Sequence, residues 1–172
     1  MRDGDPIRAV IRTAGVNQDG KTAGITMPNG HAQASLIRSV YQSAGIEPLM
    51  TDYVEAHGTG TAIGDPVEAA ALGEVFGRSP DQPAVIIGSI KSNIGHLEAV
   101  SGVASVIKAA LMLERGFYLP NCDLQNLNPK IPFQQLNLKV WQPPVPELYE
   151  FQLLSPITNV HTKGLSQVSS LG

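Results

Sequence analysis

The chain has 172 residues, with 12 Lys+Arg against 15 Asp+Glu and a formal charge of −3. Hydrophobic residues make up 42% and charged residues 16%, which excludes an intrinsically disordered chain, and the slight acidity excludes a basic stripe able to neutralise a row of phosphates. Cys122 is the only cysteine, so an intrachain disulfide and a cysteine-rich zinc centre are excluded, and a reducing, cytoplasmic compartment fits best.

Residues 7–11 alternate, with Ile7, Ala9 and Ile11 on one face and Arg8 and Val10 on the other, a strand pattern closed by the turn cluster Asn17-Gln18-Asp19-Gly20. From residue 31 to 44 the period changes. Leu36, Ile37, Val40, Tyr41 and Ala44 share one helical face, and Gly45 supplies a stop. A short strand over 52–57 runs into Gly58-Thr59-Gly60-Thr61. Asp65-Pro66-Val67-Glu68 has the composition of a helix start, with Asp65 as cap, Pro66 at the first position and Glu68 reaching back. That helix is expected to end near Phe76-Gly77.

Val85-Ile86-Ile87 is a continuous apolar run, as in a strand covered on both sides. A long helix over 97–115 follows, apolar nearly all round and therefore expected to be central and buried. Gly102 in its middle costs about 1 kcal/mol relative to Ala, which implies a close neighbour. Strand alternating with helix indicates an α/β fold with a largely parallel sheet. After Val140 the character shifts. Residues 141–172 contain Pro143, Pro144, Pro146 and Pro156 and a Ser-rich end, and read as a divergent tail of loop beyond a domain over 1–140. Neither a signal-peptide core nor an apolar run of membrane-spanning length is present in this sequence.

Two histidines stand at element ends. His57 lies at the carboxyl end of a strand, where α/β folds place ligands, beside glycines that let a substrate approach the backbone. His96 lies at the start of the long helix, where the helix N-terminus disfavours a charged ring, and a neutral imidazole there can donate to a developing oxyanion. Lys91 precedes it by five residues. The residues by themselves leave open whether these histidines are catalytic or structural. A nucleotide-binding reading fails, because the third glycine of Gly58-Thr59-Gly60-Thr61-Ala62-Ile63-Gly64 falls one residue late and no Walker lysine follows.

His57-Gly58-Thr59-Gly60-Thr61, continuing to Gly64-Asp65-Pro66 and Glu68, resembles the first histidine motif of β-ketoacyl synthases. Lys91-Ser92-Asn93-Ile94-Gly95-His96-Leu97-Glu98 resembles the second, and Gly24-Ile25-Thr26-Met27-Pro28 with Asn17-Gln18-Asp19-Gly20 resembles the ketosynthase domain of polyketide synthases. The segment from Asp3 to Arg12 is most similar to fungal, highly reducing members. The likeness covers roughly four-fifths of the chain, from Arg2 to Val140.

This resemblance implies a thiolase-like, layered αβαβα sandwich, incomplete here and mostly its C-terminal half. It implies decarboxylative Claisen condensation of acyl and malonyl thioesters, with His57 and His96 donating to the extender carbonyl as an enolate forms and Lys91 ordering the site. Thr59 and Thr61 match residues that bind the phosphopantetheine arm of an acyl carrier protein, the implied partner. The family also implies a homodimer in the intact synthase, and no metal or bound cofactor.

Two departures follow from the same resemblance. The family's nucleophilic cysteine belongs upstream of anything matching Arg2, in an N-terminal half this sequence does not include, and Cys122 falls in a loop where the family has no catalytic residue. The family's glycine-rich closing loop is reduced to Thr158-Asn159-Val160-His161, so His161 is not taken as a site residue. The chain is therefore expected to be inactive alone and marginally stable. The alternative is a non-catalytic relic, or a module that binds carrier protein or a ketosynthase dimer.

Overall fold

The computed structural model of the chain describes residues 4–18, 28–142 and 160–162. Helix α1 (Gly30–Ala44) starts where the Asn29 side chain accepts the Ala32 N–H and ends where Gly45 turns left-handed at φ 63°. A short polar acceptor satisfies a free amide at the start, and a residue without Cβ tolerates the turn at the end. Ala34, Ile37 and Tyr41 form its buried face and pack on α2 (Gly64–Phe76). The Tyr41 ring meets Phe76 edge-on at 5.4 Å, and its hydroxyl bonds Thr51 Oγ1 at 2.7 Å.

Strands β1 (Tyr53–Glu55), β2 (Val85–Gly88), β3 (Leu138–Val140) and β4 (Val160–Thr162) form one parallel sheet in the order β3-β2-β1-β4. Tyr53 pairs with Ile86 on one side and Val160 on the other. The two-residue period of a strand divides β1 between two layers. Val54 and Ala56 join Val85, Ile87 and Leu138 in the core under α1 and α2. Tyr53 and Glu55 face the opposite side, where α4 (Ser101–Arg115) places Lys108 against them. Between β2 and α4 lie the one-turn helix α3 (Lys91–Ile94) and a 3₁₀ turn at Glu98–Val100.

Four expectations are corrected. Residues 7–11 pair with no strand among the described residues, and Ile7, Val10 and Ile11 are 60%, 67% and 76% exposed. Alternation gives a chain two faces, but a strand also needs a neighbour to take its N–H and C=O groups. The long helix does not run unbroken from residue 97, and it is not buried all round. Its covered face is Ser101, Gly102, Ser105, Lys108, Ala109 and Met112, whereas Val103 and Ile107 are each more than half exposed. Small side chains let this face approach the sheet closely. Helix α2 begins at Gly64 rather than being capped by Asp65. Finally, the tail over 141–172 is not all loop, because residues 160–162 within it form β4, which lies against α4.

Candidate active site

The carboxyl ends of β1 and β2 deliver the two histidine segments to the same edge of the sheet. Directly beyond β1, the Ala56 N–H donates to Gly88 O at 2.8 Å, and the chain then leaves the sheet at His57. The backbone of His57 is held from both sides. Its N–H donates to Glu68 Oε1 at 2.9 Å, and its carbonyl accepts from Ser89 Oγ at 3.3 Å. The other Glu68 oxygen takes the Gly58 N–H, also at 2.9 Å. Gly58 sits at φ 48°, and a Cβ there would lie 2.9 Å from Ser89 Cβ, so this crossing requires glycine.

Asp65 and Glu68 have the spacing of a capping box but cap other amides. Thr61 Oγ1 accepts the Gly64 N–H at 3.0 Å and so serves the start of α2. Asp65 Oδ1 turns back to the N–H groups of Gly60 and Thr61, at 3.1 and 3.2 Å. Burial pushes the Asp65 carboxyl above its ordinary value, against the pull of the Thr61 amide. Both carboxylates thus organise the loop that carries His57, Thr59 and Thr61. Thr59 and Thr61 stand exposed on it, with the Thr61 oxygen engaged in the cap.

The His96 segment is shaped by its backbone. Gly95 adopts φ 73° and ψ −172°, a region open essentially to glycine, and Glu98 is left-handed at φ 47°. The bend returns the Glu98 N–H to His96 Nδ1 at 2.9 Å, with Ser101 Oγ 3.5 Å from the same atom. An Nδ1 that accepts is unprotonated, which puts the proton of the neutral ring on Nε2. The His57 and His96 rings lie 5.5 Å apart, edge-on at 87°. Residues 39 apart in the chain are thus neighbours. Lys91 opens the helix just before His96. It is half-buried, and desolvation lowers its pKa, with Glu55 and Glu68 acting in the opposite sense.

Cys122 is exposed, and its backbone N–H donates to Ser92 Oγ at 3.1 Å. Among the described residues, no cluster of three or more His, Cys, Asp or Glu suits a metal ion, and no helix is long and apolar enough to cross a membrane. Of the site motifs, residues 19–27 lie outside the described residues, while Asn17 Nδ2 donates to Ala32 O at 2.9 Å and fastens the preceding segment to α1.

The parallel sheet thus brings the two histidine loops together at its carboxyl edge. Residues 8–125 match the family described as beta-ketoacyl synthase, C-terminal domain, and the chain belongs to that family. It is 58% identical over 142 residues to Highly-reducing polyketide synthase 1 of Aureobasidium melanogenum, covering 81% of this chain and 6% of that protein. It is 60% identical over 139 residues to the highly reducing polyketide synthase tstA of Talaromyces stipitatus, covering 80% of this chain and 5% of that one. Among solved structures, the ketosynthase from module 6 of the bacillaene synthase of Bacillus subtilis 168 matches with a TM-score of 0.76 and 42% identity, over 82% of this chain and 25% of that one. The chain thus spans a small fraction of the curated relatives it matches, and corresponds to a C-terminal part of the thiolase-like ketosynthase fold.

Proposed function

We propose that this chain supplies the two-histidine half of a ketosynthase site, which drives the decarboxylation step of condensation on thioesters carried by an acyl carrier protein. In that step the bond between the malonyl α-carbon and its carboxylate breaks. Carbon dioxide leaves, and the electron pair develops as an enolate on the thioester oxygen. The closeness of His57 and His96, whose ring centroids lie 5.5 Å apart, supports this reading, because two imidazoles this near suit one developing oxyanion. His96 has its Nδ1 engaged by Glu98, which leaves Nε2–H as the donor. Lys91 sits at the same edge as a half-buried cation. Thr59 and Thr61, exposed on the His57 loop, are assigned to the phosphopantetheine arm.

The enolate carbon then attacks an acyl thioester on a cysteine, forming the new carbon–carbon bond and releasing the thiolate. We assign that cysteine outside this chain. Cys122 is exposed in a loop after α4, and among the described residues no hydrogen bond links its sulfur to a base. Condensation then requires the cysteine-bearing half, and decarboxylation does not. The test is conversion of a malonyl thioester to the acetyl thioester by the purified chain, followed by mass spectrometry. His57→Ala and His96→Ala are each expected to lower the rate by about 10²–10³-fold, the usual loss for one oxyanion donor. A rate indifferent to both substitutions, or no turnover, favours the non-catalytic relic or binding module.

A further inference from the structure

Beneath the histidine pair lies a buried ionic group to which the decarboxylation step gives no role. Glu55 is the last residue of β1 and is fully enclosed, and Lys108 of α4 is nearly so, with 2% of its side chain exposed. Lys108 Nζ lies 2.8 Å from Glu55 Oε2 and donates to the Tyr53 hydroxyl at 2.9 Å. The Tyr53 hydroxyl in turn donates to Glu55 Oε2. The other carboxylate oxygen, Oε1, accepts the Ile90 N–H at 2.5 Å.

The chain positions give this network its meaning. Glu55 is two residues before His57. Ile90 precedes the short helix α3 that begins with Lys91, and Lys108 lies in α4, which the chain enters at Ser101 after the 3₁₀ turn that follows His96. One carboxylate at the root of the His57 loop therefore grips both ends of the segment carrying Lys91 and His96. We propose that Lys108 and Glu55 are positioning residues, which hold the His96 segment at its distance from His57 through the Ile90 amide. The proposal rests on the reading of His57 and His96 as the reacting pair. Neither residue touches the substrate. A buried carboxylate deprived of its ammonium recruits water or a proton, and either opens the turn that Oε1 holds.

The test is hydrogen exchange of the full chain, resolved by residue, for the unaltered protein, Lys108→Met, and Glu55→Gln combined with Lys108→Met. In Lys108→Met, exchange over residues 90–97 is expected to accelerate by about ten- to a hundredfold, the scale of one lost charge-assisted bond, while the α1/α2 core stays unchanged. The double variant keeps an amide oxygen for Ile90 and leaves no unpaired charge, so protection returns. In the decarboxylation assay Lys108→Met lowers kcat by about tenfold or more with KM unchanged, and the double variant recovers part of it.

Should Lys108→Met not fold, Tyr53→Phe removes only the bridging hydroxyl and reads the same segment. Acceleration spread evenly over the sheet, none at all, or an unprotected Ile90 in the unaltered chain overturns the proposal. If the unaltered chain fails to decarboxylate, the functional reading fails, and the exchange pattern still decides the clamp.

Discussion

Glu68 holds His57 by its backbone: one carboxylate oxygen takes the His57 N–H and the other takes that of Gly58, each at 2.9 Å. The carboxylate comes from the first turns of α2 and is 7% exposed. Because an ionised carboxylate only accepts, it suits two converging amides, and no neutral side chain of its size does so on both oxygens.

Glu68→Gln places an NH₂ group against one of those amides. The expected loss is about 1–3 kcal/mol, the cost of leaving a buried donor without its acceptor. Urea denaturation of the two proteins measures it. An unchanged midpoint would show that the grip on His57 contributes nothing to folding.

The His96 tautomer is a spectroscopic prediction. With Glu98 N–H donating to Nδ1 at 2.9 Å, the neutral ring carries its proton on Nε2. Two-bond ¹⁵N–¹H correlation spectra of imidazole-labelled protein are expected to show a bare Nδ1 and a protonated Nε2. The reverse assignment removes the donor that the proposed decarboxylation needs.

Lys91 gives a pH dependence. Burial lowers its pKa in the folded chain, so the native state releases that proton before the unfolded state does as pH rises. Charged Lys91 therefore costs stability at neutral pH, and stability climbs between its folded pKa and the ordinary lysine value. Pulsed acylation with peptide mass spectrometry is expected to find Lys91 half-reacted at a lower pH than a free lysine side chain. Lys91→Met is expected to raise the melting temperature at pH 7 while impairing decarboxylation.

The outer face of α4 is a solubility prediction. Val103 and Ile107, with Val100 in the turn just before the helix, are exposed by 55–56%, and Leu111 by 45%. A contiguous apolar stripe of this kind marks a surface that seeks cover. The purified chain is expected to bind a hydrophobic dye and to self-associate. Val103→Lys with Ile107→Glu is expected to suppress both, with a change in unfolding free energy within about 0.5 kcal/mol, as for exposed sites. A large destabilisation would mean that this face is packed.

Much of the site was legible because it is local. Gly45 and Gly116 mark helix ends by a backbone conformation that other residues adopt at a cost, and both adopt it here. The His57 and His96 motifs carry their own glycines at the positions where the chain bends left-handed or into the glycine-only region. Glu55 and Lys108 were not legible as a pair. The one signal was a lysine on the stripe Ser101-Ser105-Lys108-Met112, the small-residue side of a helix otherwise rich in Val and Leu. Asp65 and Glu68 misled because spacing states what a carboxylate can reach along its own helix, and not which amides another strand brings nearby.

Amino-acid order alone determined what depends on neighbours a few residues away: the helical periods, the glycine turns, the parallel α/β class and the two histidine loops at strand and helix ends. Tertiary structure decided what depends on which surface meets which. It turned the apolar side of α4 outward and its polar side toward the sheet, left residues 7–11 without a strand partner among the described residues, and added β4 from the tail. It also brought the rings of His57 and His96 to 5.5 Å. Periodicity defines faces, but burial energy is gained only between two faces in contact, and that pairing is a property of the folded chain.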